Sequence, residues 1–246
     1  MKKTTFLLIL AASVSAVLFQ SCSGNSSANN NMKEPTEEAS APAKAGEEKN
    51  ETTSNPANSK VDASALNFKN MQDAFKGETT ASAKYAEYSK KAEAEGYHEI
   101  ALLFKAASAS EKIHATNHKA VLEDAGQKVP AIKPEFTVKT TKENLQDAIT
   151  GEGYEISTMY PEFMTNANTA GNQLSLVSLN YAYKTEQKHK VFYEKALAAL
   201  ESKTVKALPT VYFICPTCGN TYDNTAPKRC GISMTGSEKF IRISTI

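Results

Sequence analysis

An all-α four-helix bundle followed by a small cysteine-bearing β/knuckle module is the fold that the sequence predicts, on three observations. Four long stretches with helical periodicity follow Leu66, separated by breakers. Each stretch carries an acid on its own apolar seam, a place that a soluble bundle ordinarily fills with apolar side chains. After Pro209 the pattern changes to short strand-like runs around Cys and Gly. The chain has 246 residues, 41% hydrophobic and 22% charged, enough for one large domain or two small ones.

The chain opens on Met1-Lys2-Lys3 and an apolar run, FLLILAASVSAVLF, from Phe6 to Phe19. A basic start and a run of this length predict an export signal over residues 1–21. Leu18-Phe19-Gln20-Ser21-Cys22 resembles the lipobox of bacterial lipoproteins, with Ser21 before a Cys22 to be lipidated. The other reading is an ordinary cleaved signal followed by a stray Cys. A lipidated Cys22 would anchor an exported protein to a membrane by acyl chains alone. Residues 23–65 contain no aromatic residue, and residues 22–61 read as a disordered linker too poor in apolar side chains to offset the entropy of folding. No segment reaches the roughly 18 apolar residues of a spanning helix. Without residues 1–21 the count is 26 basic against 27 acidic, which gives no reason to expect a nucleic-acid partner.

The predicted bundle covers residues 62–203. Glu95-Gly96 ends the first helix, Gly126 to Pro134 follows the second, Ala170-Gly171 divides the last two, and the fourth ends before Pro209. In the second helix the seam runs Ile100, Phe104, Ala107, Glu111, His114, His118, Val121, with the alternating steps of three and four that mark a buried stripe. The first gives Met71, Phe75, Glu78, Ser82, Tyr85, and the third Leu145, Ala148, Glu152, Glu155, Met159. The fourth gives Leu179, Tyr183, Glu186, His189, Tyr193.

Burying an unpaired carboxylate costs several kcal/mol, so five in one core require cations. Residues at i and i+3 lie about 5–6 Å apart on one helix face, so Glu111/His114 and Glu186/His189 can each offer an oxygen and a nitrogen to a metal. Glu78 and Glu152, from the other two helices, could bridge. The order Glu, then Glu-x-x-His, occurs twice. This is the ligand set of ferritin-like bundles with a carboxylate-bridged di-iron or di-manganese centre.

The segments GETTASAKYAEYSKKAEAEGYHEIALLFKAASASEKIHA (residues 77–115) and ENLQDAITGEGYEISTMYPEF (residues 143–163) resemble the rubrerythrin family. The resemblance implies two non-haem irons, reduction of hydrogen peroxide to water, and electrons delivered through a rubredoxin-type iron site. It makes Glu78, Glu111, Glu152 and Glu186 ligands or bridges, with His114 and His189 as nitrogen donors. It also implies that Glu155 and His114 exchange on one iron as its oxidation state changes, because a ferric ion prefers an anionic oxygen. Tyr85 and Tyr160 match family tyrosines near the site, and the resemblance implies that they hold carboxylates in place; as isolated residues both read equally as core packing. A homodimer is implied by the resemblance alone.

The module over residues 209–246 contains Cys215-Pro-Thr-Cys218-Gly and Ala226-Pro-Lys-Arg-Cys230-Gly-Ile-Ser233. A tetrahedral thiolate site for iron or zinc wants two such knuckles. Ser233 stands where the family has Cys. Three states are open: a metal site of Cys215, Cys218, Cys230 and Ser233; an empty module retaining the fold; and a Cys215–Cys218 or Cys215–Cys230 disulfide, which an exported location would favour.

The function expected is an exported rubrerythrin-like peroxidase protecting the cell envelope, periplasmic or membrane-attached, supplied by an unidentified envelope electron donor. The alternative is a ferritin-like iron-binding or ferroxidase lipoprotein whose cysteine module is structural and redox-inactive. A third is a tethered interaction module with an inert metal-stabilised bundle.

Overall fold

A computed structural model describes residues 56–246. The export signal (1–21), Cys22 and residues 22–55 of the expected linker lie outside the described residues. Five α-helices form four rods: α1 (Pro56–Ala94), α2 (His98–Asp124), α3 (Thr141–Tyr154) continued through a turn over Glu155–Met159 into α4 (Tyr160–Thr169), and α5 (Gln173–Glu201). Helix α1 begins at Pro56, six residues inside the stretch expected to be linker. No helix among the described residues is long and apolar enough to cross a membrane.

The expected breakers end the helices by backbone geometry. At the end of α1 the Gly96 amide donates to Glu93 O and the Tyr97 amide to Ala92 O. That pattern places Gly96 in the left-handed region, φ 82°, which glycine enters without penalty. Thr140 caps α3 in a reciprocal pair with Glu143, and the Asn172 side chain caps α5 at Ser175.

The turn between α3 and α4 departs from the single straight helix that the seam predicts. The Tyr160 amide donates to Glu155 O, five residues back, so this turn is a π-turn. Pro161 gives a physical reason: in an unbroken α-helix its ring would press on the carbonyl four residues earlier, and a wider turn relieves that contact. The extra residue rotates α4 about the rod axis, so Tyr160 turns inward beside Met159 and is fully buried.

Two apolar clusters fill the bundle. One contains Tyr85, Phe104, Leu145 and Tyr193; the other contains Met71, Val121, Tyr160 and Leu179. In seam order the acidic layer lies between them on every rod. Strands β1 (Tyr212–Ile214), β2 (Thr221–Asp223) and β3 (Ile241–Ile243) form an antiparallel sheet in the order β2-β1-β3. Tyr212 and Ile214 of β1 belong to the first apolar cluster of the bundle, and the described chain forms one compact unit. Strand β1 of the cysteine module thus packs against the bundle.

Candidate metal centre

Glu78 (α1), Glu111 and His114 (α2), Glu152 (α3), and Glu186 and His189 (α5) are all buried at 2% exposure or less. They form two groups whose ligand atoms lie within 4.8 Å of one another: Glu78, Glu111, His114, Glu186; and Glu111, Glu152, Glu186, His189. Glu111 and Glu186 belong to both. Glu111 places Oε2 2.9 Å from His114 Nδ1 and Oε1 3.0 Å from His189 Nδ1. Glu186 places Oε1 2.8 Å from His114 Nδ1 and Oε2 2.7 Å from His189 Nδ1.

Each of these two carboxylates therefore spans both positions, and Glu78 and Glu152 each serve one. Of the four acids open as ligands or bridges, the geometry gives the spanning place to Glu111 and Glu186 rather than to Glu78 and Glu152. Spacing along one helix shows which face a residue takes, but not which carboxylates meet at the midline.

Both oxygens of Glu111, both of Glu186, and Nδ1 of both histidines have no hydrogen-bond partner. Six buried polar atoms converging without partners are what a pair of cations would satisfy. The charges also agree, because four ligating carboxylates balance two divalent ions. Without cations the cluster must take up protons. Burial raises Glu78 to about 7 against the pull of His114, and burial followed by Glu186 pushes Glu152 well above the carboxylate range. Burial would lower His189, but Glu111 and Glu186 outweigh it and raise the ring to about 9. Both imidazoles reverse the burial of Glu186 and hold it near 2.

Tyr85 and Tyr160 act on the two acids that serve one position each. Tyr85 donates to Glu152 Oε1 at 2.9 Å, and Tyr160 donates a short hydrogen bond to Glu78 Oε1. Burial first and the neighbouring carboxylates second keep both phenols protonated, so both remain donors. Glu155, on the π-turn, belongs to neither group of converging donors and is half-buried. Of the two residues paired as alternates on one iron, His114 is therefore inside the cluster and Glu155 stands beside it.

The cysteine module sits directly on this centre. Cys218 O lies 3.1 Å from His114 Nε2, and Thr221 Oγ1 lies 3.0 Å from His189 Nε2. A carbonyl only accepts, and Thr221 spends its own proton on Gly219 O. In the neutral rings both Nε2 atoms therefore carry the hydrogen, and both Nδ1 lone pairs face the carboxylates. Ser110 donates to Gly219 O at 2.7 Å and Asn117 to Thr217 O at 2.9 Å, which seats the knuckle on α2. A Cβ on Gly219 would lie 2.7 Å from His114 Cδ2 and closer still to Nε2, and φ there is 77°.

Cys215, Cys218 and Cys230 are buried free thiols whose sulfurs lie within 4.8 Å of one another, so of the three states left open the disulfide is the one not formed. Ser233 Oγ lies 3.2 Å from Cys215 Sγ.

His118, a seam residue given no role by its spacing, is fully buried and lies near the centre. Its Nε2 is 3.4 Å from Tyr160 OH and its Nδ1 is 2.7 Å from Ser178 Oγ. Tyr160 gives its proton to Glu78, so its oxygen accepts from His118, and His118 Nδ1 accepts from Ser178. No signal along α2 alone could distinguish this ring from a packed core histidine, because its partners come from α4 and α5.

The family model described as Rubrerythrin matches residues 69–197, more than half of the chain. The chain belongs to the rubrerythrin family. It is 34% identical over 172 residues to Rubrerythrin-2 of Clostridium acetobutylicum, covering 69% of this chain and 92% of that protein. It is 29% identical over 194 residues to nigerythrin of Nitratidesulfovibrio vulgaris, covering 78% and 94%. The structure of fully reduced, all-ferrous nigerythrin superposes with a TM-score of 0.64, covering 72% of this chain and 86% of that one. A bacterioferritin from Desulfovibrio desulfuricans, 17% identical with a TM-score of 0.55, shares the ferritin-like fold. This rubrerythrin is thus a di-iron oxidoreductase by family. Its carboxylate and histidine cluster is able to bind two irons, and its three cysteines offer a site for a third metal.

Proposed function

We propose that this rubrerythrin reduces hydrogen peroxide to two waters at the cluster of Glu78, Glu111, His114, Glu152, Glu186 and His189. The observation that carries this reading is the seating of the cysteine module on both histidines, through Cys218 O and Thr221 Oγ1. A peroxidase needs electrons returned after each turnover, and a thiolate metal site one residue's backbone from a ligating imidazole is where they would enter. Two ferrous ions, when bound, supply the two electrons that peroxide takes up.

The protein's own residues do the rest. Glu111 and Glu186 fix the two metal positions relative to each other, and Tyr85 and Tyr160 hold Glu152 and Glu78. The apolar clusters on both sides exclude bulk water. The two electrons must be matched by two protons: Glu155, which burial and then Glu78 raise above the carboxylate range in the metal-free protein, is placed beside the cluster to hand on one, and solvent supplies the other. The test is stoichiometric: the anaerobically reduced protein should consume one peroxide for every two ferrous ions oxidised, with no oxygen released.

The proposal includes an address. The apolar run and Ser21-Cys22 support export and attachment at the cell envelope through a lipidated Cys22, with an envelope protein as electron donor. Incorporation of labelled palmitate into wild type and its loss in Cys22→Ser would test this. A homodimer is part of the same proposal and is read by light scattering of the purified protein.

Ser233 favours a second reading, an iron-binding or ferroxidase lipoprotein in which the cysteine module is structural. Under that reading dioxygen, rather than peroxide, is the better oxidant.

A further inference from the structure

The cysteine cluster has three thiols and four corners. Cys218 Sγ and Cys230 Sγ are 3.4 Å apart, and Cys215 Sγ and Ser233 Oγ are 3.2 Å apart. With metal–sulfur bonds of about 2.3 Å and metal–oxygen bonds of about 2.0–2.2 Å, the edges of a tetrahedral site are roughly 3.5–3.8 Å long. The observed separations need only a few tenths of an ångström of expansion to meet that geometry. Ser233 Oγ thus stands beside the sulfur cluster, against Cys215 Sγ.

Ser233 is held in that attitude from outside. Its Oγ is 2.8 Å from Thr235 Oγ1, and Thr235 in turn donates to Thr217 Oγ1 at 2.8 Å. With its proton committed to Thr217, Thr235 accepts the proton of Ser233, which turns the Ser233 lone pairs toward the sulfurs. The turn itself is closed by the Met234 amide on Cys230 O and the Cys230 amide on Thr235 O. The second knuckle thus keeps its fold although Ser replaces Cys. Around Cys230 the donors expected of a thiolate ligand are present: the Ile232 amide at 3.4 Å and Tyr222 OH at 3.5 Å.

We infer that Ser233 Oγ is the fourth ligand, so that Cys215, Cys218, Cys230 and Ser233 form a tetrahedral three-sulfur, one-oxygen site for a borderline cation such as iron or zinc. For iron, a Ser233 oxygen that releases its proton to solvent on metal binding is a harder anionic donor and favours the ferric state, so this site then has a lower reduction potential than the same site with four sulfurs. The inference concerns the third metal alone and stands whichever oxidant the dinuclear centre uses.

Cobalt(II) is the probe. Added anaerobically to the full chain, it reports its donors by absorbance, and only the cysteine site gives thiolate charge-transfer bands, since the dinuclear cluster has no sulfur. Wild type should bind one cobalt with charge-transfer intensity for three thiolates. Ser233→Cys should raise that intensity by about a third and bind more tightly. Partners outside the ligand shell alone are worth about 10–100-fold in affinity, so Ser233→Ala should weaken binding by at least about tenfold. In the iron-loaded protein, Ser233→Cys should move the potential upward. The inference is overturned if wild type shows no thiolate-bound cobalt, or if Ser233→Ala matches wild type in affinity and spectrum while circular dichroism shows it folded.

Discussion

His114 Nε2 lies 3.1 Å from the carbonyl oxygen of Cys218, so one residue supplies both a sulfur to the cysteine cluster and an anchor to a ligand of the dinuclear centre. Gly219 makes this approach feasible. Any side chain there would collide with the His114 ring and would also be strained at φ 77°.

Gly219→Ala is therefore expected to push the knuckle away from α2 and free the His114 ring to rotate. Loss of a partner that orients a ligand costs about 10–100-fold in metal affinity. Anaerobic ferrous titration should show that loss at the dinuclear centre, while the cysteine site still binds metal. Unchanged ferrous affinity would contradict the anchoring role.

The two carboxylates that span both positions and the two that serve one should differ in kind. Glu111→Ala or Glu186→Ala removes a donor from both positions, so both irons and peroxide turnover should be lost together. Glu78→Ala or Glu152→Ala removes a donor from one position, and such a variant should retain close to one equivalent of tightly bound metal. Metal analysis after gel filtration separates the outcomes, and two irons retained in Glu111→Ala would refute the assignment.

Tyr85→Phe and Tyr160→Phe each delete one hydrogen bond to a carboxylate serving a single position. Each should lower the affinity or turnover rate by about 10–100-fold without unfolding the protein. Normal values in both would reduce the tyrosines to packing.

His118 gives a dependence on acid. Burial, reinforced by His114, holds its pKa down to about 3, against 6.5 for the free ring. Between those values the unfolded chain binds the extra proton. Stability is therefore full above about 6.5 and is lost as the pH falls toward 3, at up to about 1.4 kcal/mol per pH unit. From pH 7 to pH 5 the metal-free wild type should lose about 2 kcal/mol more stability than His118→Gln. Equal losses in denaturant titrations would show that the ring is not held neutral.

The bundle and its six metal-facing residues are legible because the seam is a one-dimensional signal. Steps of three and four place Glu78, Glu111, His114, Glu152, Glu186 and His189 inward however the rods are later arranged. The features that escape the sequence depend on how the rods meet. The bridging role of Glu111 and Glu186 depends on their reaching the midline, and the stepping is the same for all four acids. The π-turn at Glu155–Met159 breaks the stepping that places Glu155 in the seam, and it turns Tyr160 inward. The docking of Cys218 and Thr221 on the histidines joins residues 104 and 32 positions apart, a relationship that no local pattern carries.

If the buried cluster is a peroxide-reducing di-iron centre, its choice of oxidant decides the matter. The decisive measurement is rapid mixing of the anaerobically reduced, iron-loaded full chain with hydrogen peroxide or with dioxygen at equal concentration, following oxidation of the iron by absorbance. A peroxidase centre should be oxidised faster by peroxide, to completion at one peroxide per two irons, and the reaction should be lost in Glu186→Ala. Faster oxidation by dioxygen, with continued uptake of ferrous iron, would contradict the peroxidase reading and establish the ferroxidase one.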